Sequence, residues 1–237
     1  MLDGHIEEIG FIVQYIAADG YVSLSPIGGW DPQVLVGQRH RFLGAAGDVI
    51  GVVGKKPIHL MKVEDRDHAS KFVDLWVDIG AAKRDEAEAR LSVGDPGVID
   101  SRSHDFPNDR IVSRSIDDRI GAFIVLEALR RYAKKPGAAR VVAAATTQEE
   151  IAWHGGGALV CAHCVNPQIA IVVDVTFATD HPNVEKKEIG DHKMGGGPII
   201  SRGALSAPVV HTMLRDSGKP QNMPDAVHAL RGDTAAN

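Results

Sequence analysis

Four short stretches of this 237-residue chain carry residue types that do chemistry together. His5-Ile6-Glu7 sets an imidazole two residues from a carboxylate that could orient it, the usual support for a metal-binding histidine. Asp117-Asp118-Arg119 and Gln148-Glu149-Glu150 each place two acids side by side, and adjacent carboxylates concentrate like charge that a cation would relieve. Asp174 ends the apolar run Ile169-Ala170-Ile171-Val172-Val173 and is followed by Val175, Phe177 and Ala178, so the pattern predicts a buried carboxylate. Such a charge must be paired, hydrogen-bonded or bound to metal. No Arg or Lys lies between Ile151 and Asp180 to serve as a local partner. Each stretch also has a plain reading: His5 as a surface histidine, the paired acids as first-turn residues favoured by a helix dipole, and Asp174 as a cap. Taken jointly, His5, Asp117, Glu150 and Asp174 form a thiolate-free set suited to zinc, cobalt or manganese, with Glu149 left over as a base.

These residues need a scaffold. Ile116 to Tyr132 is almost continuously apolar, starts on acids and ends on Arg130, Arg131, Lys134 and Lys135, which predicts a buried helix complementing its own dipole. The runs Arg140–Thr147 and Ile169–Val173 have the small, apolar character of parallel strands covered on both faces, and Gly155–Cys164 reads as the crossover helix between them. The expected fold is therefore α/β with a mostly parallel sheet, its acids at the carboxyl ends of strands, where open sheets of this class bind ligands. Between Phe11 and Ile111 short β-like runs (11–16, 21–24, 34–36, 49–53) alternate with turn residues, as in a small barrel or sandwich. Two charged segments there, Val63–Phe72 and Lys83–Leu91, read as surface helices.

Composition excludes several classes. With 26 basic and 31 acidic residues the net charge is −5, which argues against nucleic-acid binding. The chain is 44% hydrophobic and has no long apolar run, so no membrane span is expected. The N-terminus lacks a signal-peptide pattern, and the two cysteines make no disulfide framework; both point to the cytoplasm. Three further signals carry little: Cys161-Ala162-His163-Cys164 reads as small buried helix residues, Gly195-Gly196-Gly197-Pro198 as a loop without the Lys-Ser/Thr of a phosphate site, and Asp180-His181-Pro182 as a turn or pocket edge.

In order along the chain, His5-Ile6-Glu7-Glu8-Ile9-Gly10-Phe11-Ile12-Val13, Pro26-Ile27-Gly28-Gly29, Leu35-Val36-Gly37-Gln38, Val77-Asp78-Ile79-Gly80-Ala81, Asp117-Asp118-Arg119, Gln148-Glu149-Glu150 and Asp174-Val175-Thr176-Phe177-Ala178 resemble the dinuclear-metal aminopeptidases of the glutamyl and tetrahedral aminopeptidase family, which includes FrvX- and CelM-like proteins. The resemblance implies a zinc-peptidase-like α/β catalytic domain at 1–10 and 112–237, with an inserted β-barrel dimerisation domain at 11–111. It implies two divalent ions, zinc or cobalt: Asp117 bridging both, His5 and Asp174 completing one site, Glu150 in the other, and Glu7 supporting His5. Glu149 would be the general base as metal-activated water releases N-terminal residues from peptides. Homo-oligomers from dimers to tetrahedral dodecamers are implied as well.

The chain departs from that pattern in places. Glu7 stands where the family has Asp, Ile151-Ala152-Trp153-His154-Gly155 replaces Val-Gly-x-Arg-Gly, and Gly232-Asp233-Thr234-Ala235 exchanges Thr and Asp. The residues before His5 are too few and too polar to read as the strand a ligand at that point requires. No residue matches the family's second histidine ligand; His211 and His228 lie upstream of it, so the second site is expected to be short of a ligand. The chain thus reads as truncated at both ends. Rival functions are a catalytically impaired fragment or assembly subunit and, more weakly, an endoglucanase-type hydrolase, since glycosidase acids normally face each other across the bond they cleave.

Overall fold

The computed structural model describes residues 1–151 and 155–230. The chain divides into two compact units, 1–174 and 175–237. The first begins with strand β1 (Leu2–His5), then forms a closed six-stranded barrel from β2 (Gly10–Ile16), β3 (Val22–Ile27), β4 (Arg39–Gly44), β5 (Gly47–Lys55), β6 (Leu75–Asp78) and β7 (Pro96–Ile99), joined in the order β2-β3-β6-β5-β4-β7. Alternation makes this barrel: along β5, Val49 and Val53 point into the core while Ile50 and Val52 face out. Phe11, Val13, Val22, Phe42 and Val77 fill the interior, each fully buried apolar side chain contributing about 1.5–3 kcal/mol. His40 lies among them, fully buried, its ring stacked on Phe11 at 4.5 Å.

Two local expectations change here. Leu35 is buried, but the 34–36 run is no strand: Pro32–Val34 is a 3-10 turn opened by Asp31, whose carboxylate accepts the Gln33 amide at 2.9 Å. The Lys83–Leu91 segment does contain helix α1 (Arg84–Glu88), whereas Val63–Phe72 holds the short 3-10 turn Val63–Asp65 and the first residue of another, Phe72–Asp74. After the barrel a hairpin, β8 (His104–Phe106) and β9 (Arg110–Val112), turns on Asn108 and Asp109, both at positive φ as such tight turns require.

Helix α2 (Ile116–Lys134) follows, then β10 (Ala143–Thr146), helix α3 (Gly156–Val165) and β11 (Ile171–Val172). Strand β1 lies in the middle of a parallel sheet ordered β10-β1-β11, with Leu2 opposite both Ala143 and Ile171 and His5 opposite Thr146. The four residues Leu2–His5 are thus a strand after all, correcting the expectation drawn from their polarity. Asp3 is buried, and its carboxylate accepts the Thr146 hydroxyl at 3.3 Å, so its charge does not bar it from the sheet. Gly4 leaves room for the helix: a Cβ there would stand 2.6 Å from the Gly121 carbonyl carbon.

The coverage is also thinner than the apolar runs suggest. Only the stripe Asp118, Gly121, Ala122 and Val125 of α2 is buried, while Ile120, Phe123, Ile124 and Leu126 are exposed, as is Val172 on the edge strand β11. A helix packed on one side buries residues at 3–4 spacing whatever the polarity of the rest. Cys164 is exposed and Cys161 half-buried on α3, not the small core residues expected.

The second unit holds helix α4 (Lys186–Ile189) and a β-α-β turn of β12 (Ile199–Gly203), α5 (Pro208–Gly218) and β13 (Ala226–Leu230), the two strands pairing in parallel. Parallel pairing is present as expected, in two separate sheets. Among the described residues, no helix is long and apolar enough to cross a membrane.

Candidate metal centre

The carboxyl ends of all three strands of the β10-β1-β11 sheet meet the start of α2. His5 ends β1, Glu149 and Glu150 follow β10, Asp174 follows β11, and Asp117 and Asp118 stand where α2 begins. Gln148 takes positive φ, turning the chain so that both following acids point inward, and Asp117 and Asp118 themselves are non-helical.

The buried His5 ring is the hub. Its Nε2 lies 3.1 Å from Asp117 Oδ1, 3.7 Å from Glu149 Oε2 and 3.9 Å from Asp174 Oδ1. Its Nδ1 faces Glu7 Oε2 at 3.6 Å. Glu7 does more than face the ring: its Oε1 accepts the backbone amides of both Glu149 and Glu150, the latter at 3.3 Å. The longer Glu arm therefore ties the β1 exit to the acidic turn after β10. All five predicted residues and Glu7 converge. One expectation fails in detail: the Asp174 carboxylate is 35% exposed rather than buried, so its place beside His5, not a burial penalty, marks it.

Asp118 was not singled out by sequence pattern, yet it is fully buried and accepts the His5 amide at 3.2 Å and the Gly121 amide at 3.0 Å. The signal was Gly121, three residues on: a Cβ there would stand 2.3 Å from the Asp118 carboxylate. Gly28 in the Pro-Ile-Gly-Gly stretch, at φ +78, makes room chiefly for Ile9, whose Cγ2 a Cβ there would meet at 2.4 Å, with Glu150 Oε2 at 3.2 Å.

Burial, with crowding second, shifts the pKa values of these acids. Burial, then the Asp174 charge, raises Asp118 to about 6; burial, then Asp117 and Glu149, raises Glu150 to about 7. Glu149 is raised mainly by burial. Burial works against a charged His5, but Glu7, Asp174, Glu149 and Asp118 outweigh it and raise its pKa.

The donors fit divalent cations. Ligand atoms of His5, Asp117 and Glu150 lie within 4.8 Å of one another, and so do those of His5, Asp118 and Asp174. Glu150 Oε1 and His5 Nδ1 are buried without a hydrogen-bond partner, and imidazole with carboxylate oxygen is the donor chemistry of zinc or cobalt. The structure groups Asp118, not Asp117, with His5 and Asp174. In the second unit His211 and His228 each spend Nδ1 on a backbone carbonyl, of Ser201 and Ile189. The departures at 152–154 and 232–235 fall outside the described residues.

Several known aminopeptidases are similar to this chain. A lysyl aminopeptidase of Pyrococcus furiosus is 32% identical over 227 residues, 94% of this chain and 63% of the relative. A TET aminopeptidase from a marine-sediment Thaumarchaeota archaeon superposes with a TM-score of 0.89 at 34% identity, covering 98% of this chain and 66% of that one. The Pyrococcus horikoshii TET1 peptidase, which can assemble into a tetrahedron or a large octahedral shell, follows at 0.84 and 26% identity over 99% of this chain and 69% of that one. The chain spans 63% of the lysyl aminopeptidase's length, a little under two thirds. The family model described as M42 glutamyl aminopeptidase matches residues 1–237, and the chain belongs to that family.

Proposed function

We propose that this chain carries the metal centre of an aminopeptidase that removes N-terminal residues from peptides. The convergence of His5, Asp117, Glu149, Glu150 and Asp174 at the carboxyl ends of three parallel strands supports this reading most directly. His5, Asp117, Glu150 and Asp174, with Asp118 beside them, would hold two divalent ions, zinc or cobalt. When bound, those ions supply Lewis acidity for polarising a peptide carbonyl and lowering the pKa of water.

The remaining steps belong to the chain's own groups. The Glu149 carboxylate is one-third exposed, open to solvent on the face where Asp117 and Asp174 meet His5. From there it takes a proton from the attacking water and returns it to the leaving amine. Glu7 holds the Glu149 and Glu150 amides, so the base and its neighbour keep their direction while the proton moves. The exposed acids around His5 are suited to a substrate's free α-ammonium group, which an exopeptidase must read. The barrel at Gly10–Ile99 falls, but for its first residue, in the 11–111 insertion expected to serve dimerisation, inside a catalytic domain formed by 1–10 and 112–237, and oligomers like those of the TET1 peptidase are proposed to form through it.

The test is an assay of the purified chain on free and N-acetylated peptide amides with added cobalt or zinc, alongside metal analysis. Selective cleavage of the free amines with two ions per chain is the expected result. Equal turnover of both would exclude an exopeptidase, and intact metal sites without turnover would leave an assembly subunit.

A further inference from the structure

Glu8 lies just outside the metal centre and is absorbed by none of the roles above. Its carboxylate is largely buried and is gripped from two sides, by Arg114 Nη1 and, at 3.3 Å, by Arg119 Nη2. These arginines flank the turn that carries Asp117, one three residues before it and one two residues after. Arg119 has a second contact: its Nε donates to the Ile6 carbonyl at 3.2 Å. The Ile6 amide in turn donates to the Thr146 carbonyl at 2.9 Å. The residue after His5 is therefore fixed through its amide by β10 and through its carbonyl by the residue that follows Asp118.

We propose that Glu8, Arg114 and Arg119 form a positioning clamp that holds the His5 segment against the Asp117 turn, so that the two cation ligands stay within reach of each other. The need for it is electrostatic. Glu7, Asp117, Asp118, Glu149, Glu150 and Asp174 all lie around one imidazole, and like charge at that density works to spread the β1 exit, the α2 start and the β10 exit. A guanidinium fork fastened to both a carboxylate and a carbonyl opposes that spreading with fixed geometry, which a lysine could not supply. Glu8 is the largely buried partner, while Arg114 and Arg119 are more open, so solvent screens part of the pairing and its fixed geometry matters more than its charge. The clamp rests on the reading of the site as a metal centre.

The experiment is calorimetric titration of the chelator-treated chain with zinc, for the parent, Arg119→Gln and the isosteric Glu8→Gln, together with melting in chelator. The parent should bind zinc, and both variants should bind it roughly ten- to a hundred-fold more weakly, the range for losing an outer-shell partner. Their metal-free melting points should stay within about 4 °C of the parent. Unchanged zinc affinity in both variants overturns the clamp, and so does a fall in metal-free stability with affinity intact. Failure of both variants to fold overturns it too, because the contacts would then serve the fold. A parent that binds no zinc overturns the metal reading itself, so the two failures are told apart.

Discussion

The backbones of Gly4 and Gly121 touch: a Cβ placed on Gly4 would fall 2.6 Å from the carbonyl carbon of Gly121 and 2.7 Å from the Ala122 nitrogen. This contact sets strand β1 on helix α2, and with them His5 on the acids that open the helix. Gly4→Ala should therefore cost about 1–3 kcal/mol, since the methyl meets backbone that cannot turn aside. Gly121→Ala should do the same through Asp118, whose carboxylate fills that space. Urea unfolding measures the loss, and zinc titration should show weakened binding in whatever remains folded.

Glu149 and Glu150 are neighbours with different duties. Glu149→Gln should lower kcat by roughly 100- to 10,000-fold while leaving metal content near that of the parent, as expected for a lost general base. Glu150→Gln should lose metal as well as activity. Metal analysis beside steady-state kinetics separates the two, and loss of metal in both variants would show that Glu149 is a ligand.

Glu7→Asp introduces the residue that the family resemblance leads one to expect, yet it should weaken the site. The shorter arm cannot face His5 Nδ1 and also accept the amides of Glu149 and Glu150. A fall of about ten-fold in metal affinity is expected, in the range for outer-shell partners. Equal or tighter binding by calorimetry would mean that the amide contacts do nothing for the ligands.

His40 predicts a pH dependence remote from the metal centre. Burial against Phe11 and Phe42 lowers its pKa from 6.5 to about 4. As pH falls below 6.5 the unfolded chain takes up a proton that the folded barrel refuses until about pH 4, so this contribution is complete above 6.5 and is lost through the window 6.5 to 4. The full loss is about 3 kcal/mol. His40→Phe should remove that part of the slope, which urea unfolding of both proteins at pH 7 and pH 4.5 would reveal as a smaller difference for the variant.

Residue type was the best guide to the site, and periodicity the best guide to the barrel. Glu149, Glu150 and Asp174 stood out as acids at the carboxyl ends of apolar runs, and His5 and Asp117 only when taken jointly with them. The barrel strands announced themselves by alternation, as at Val49, Ile50, Val52 and Val53. Strand β1 did not, because four residues with a buried Asp and a Gly have no period; its identity comes from partners far along the chain. Asp118 was hidden for a similar reason. Two adjacent aspartates look alike in sequence, and only the packing of Gly121 decides which is buried. The outer face of α2 misled in the other direction, since apolar character does not say whether anything lies against it.

The central place of β1 also bears on how the protein comes into being. On the ribosome Leu2–His5 is made before the barrel, while both strands it pairs with are made after it. The barrel can close from contiguous sequence as it emerges. The ligand cluster is complete only once Asp174 has left the exit tunnel, so a nascent chain can hold a finished barrel while His5 still waits for its last partner.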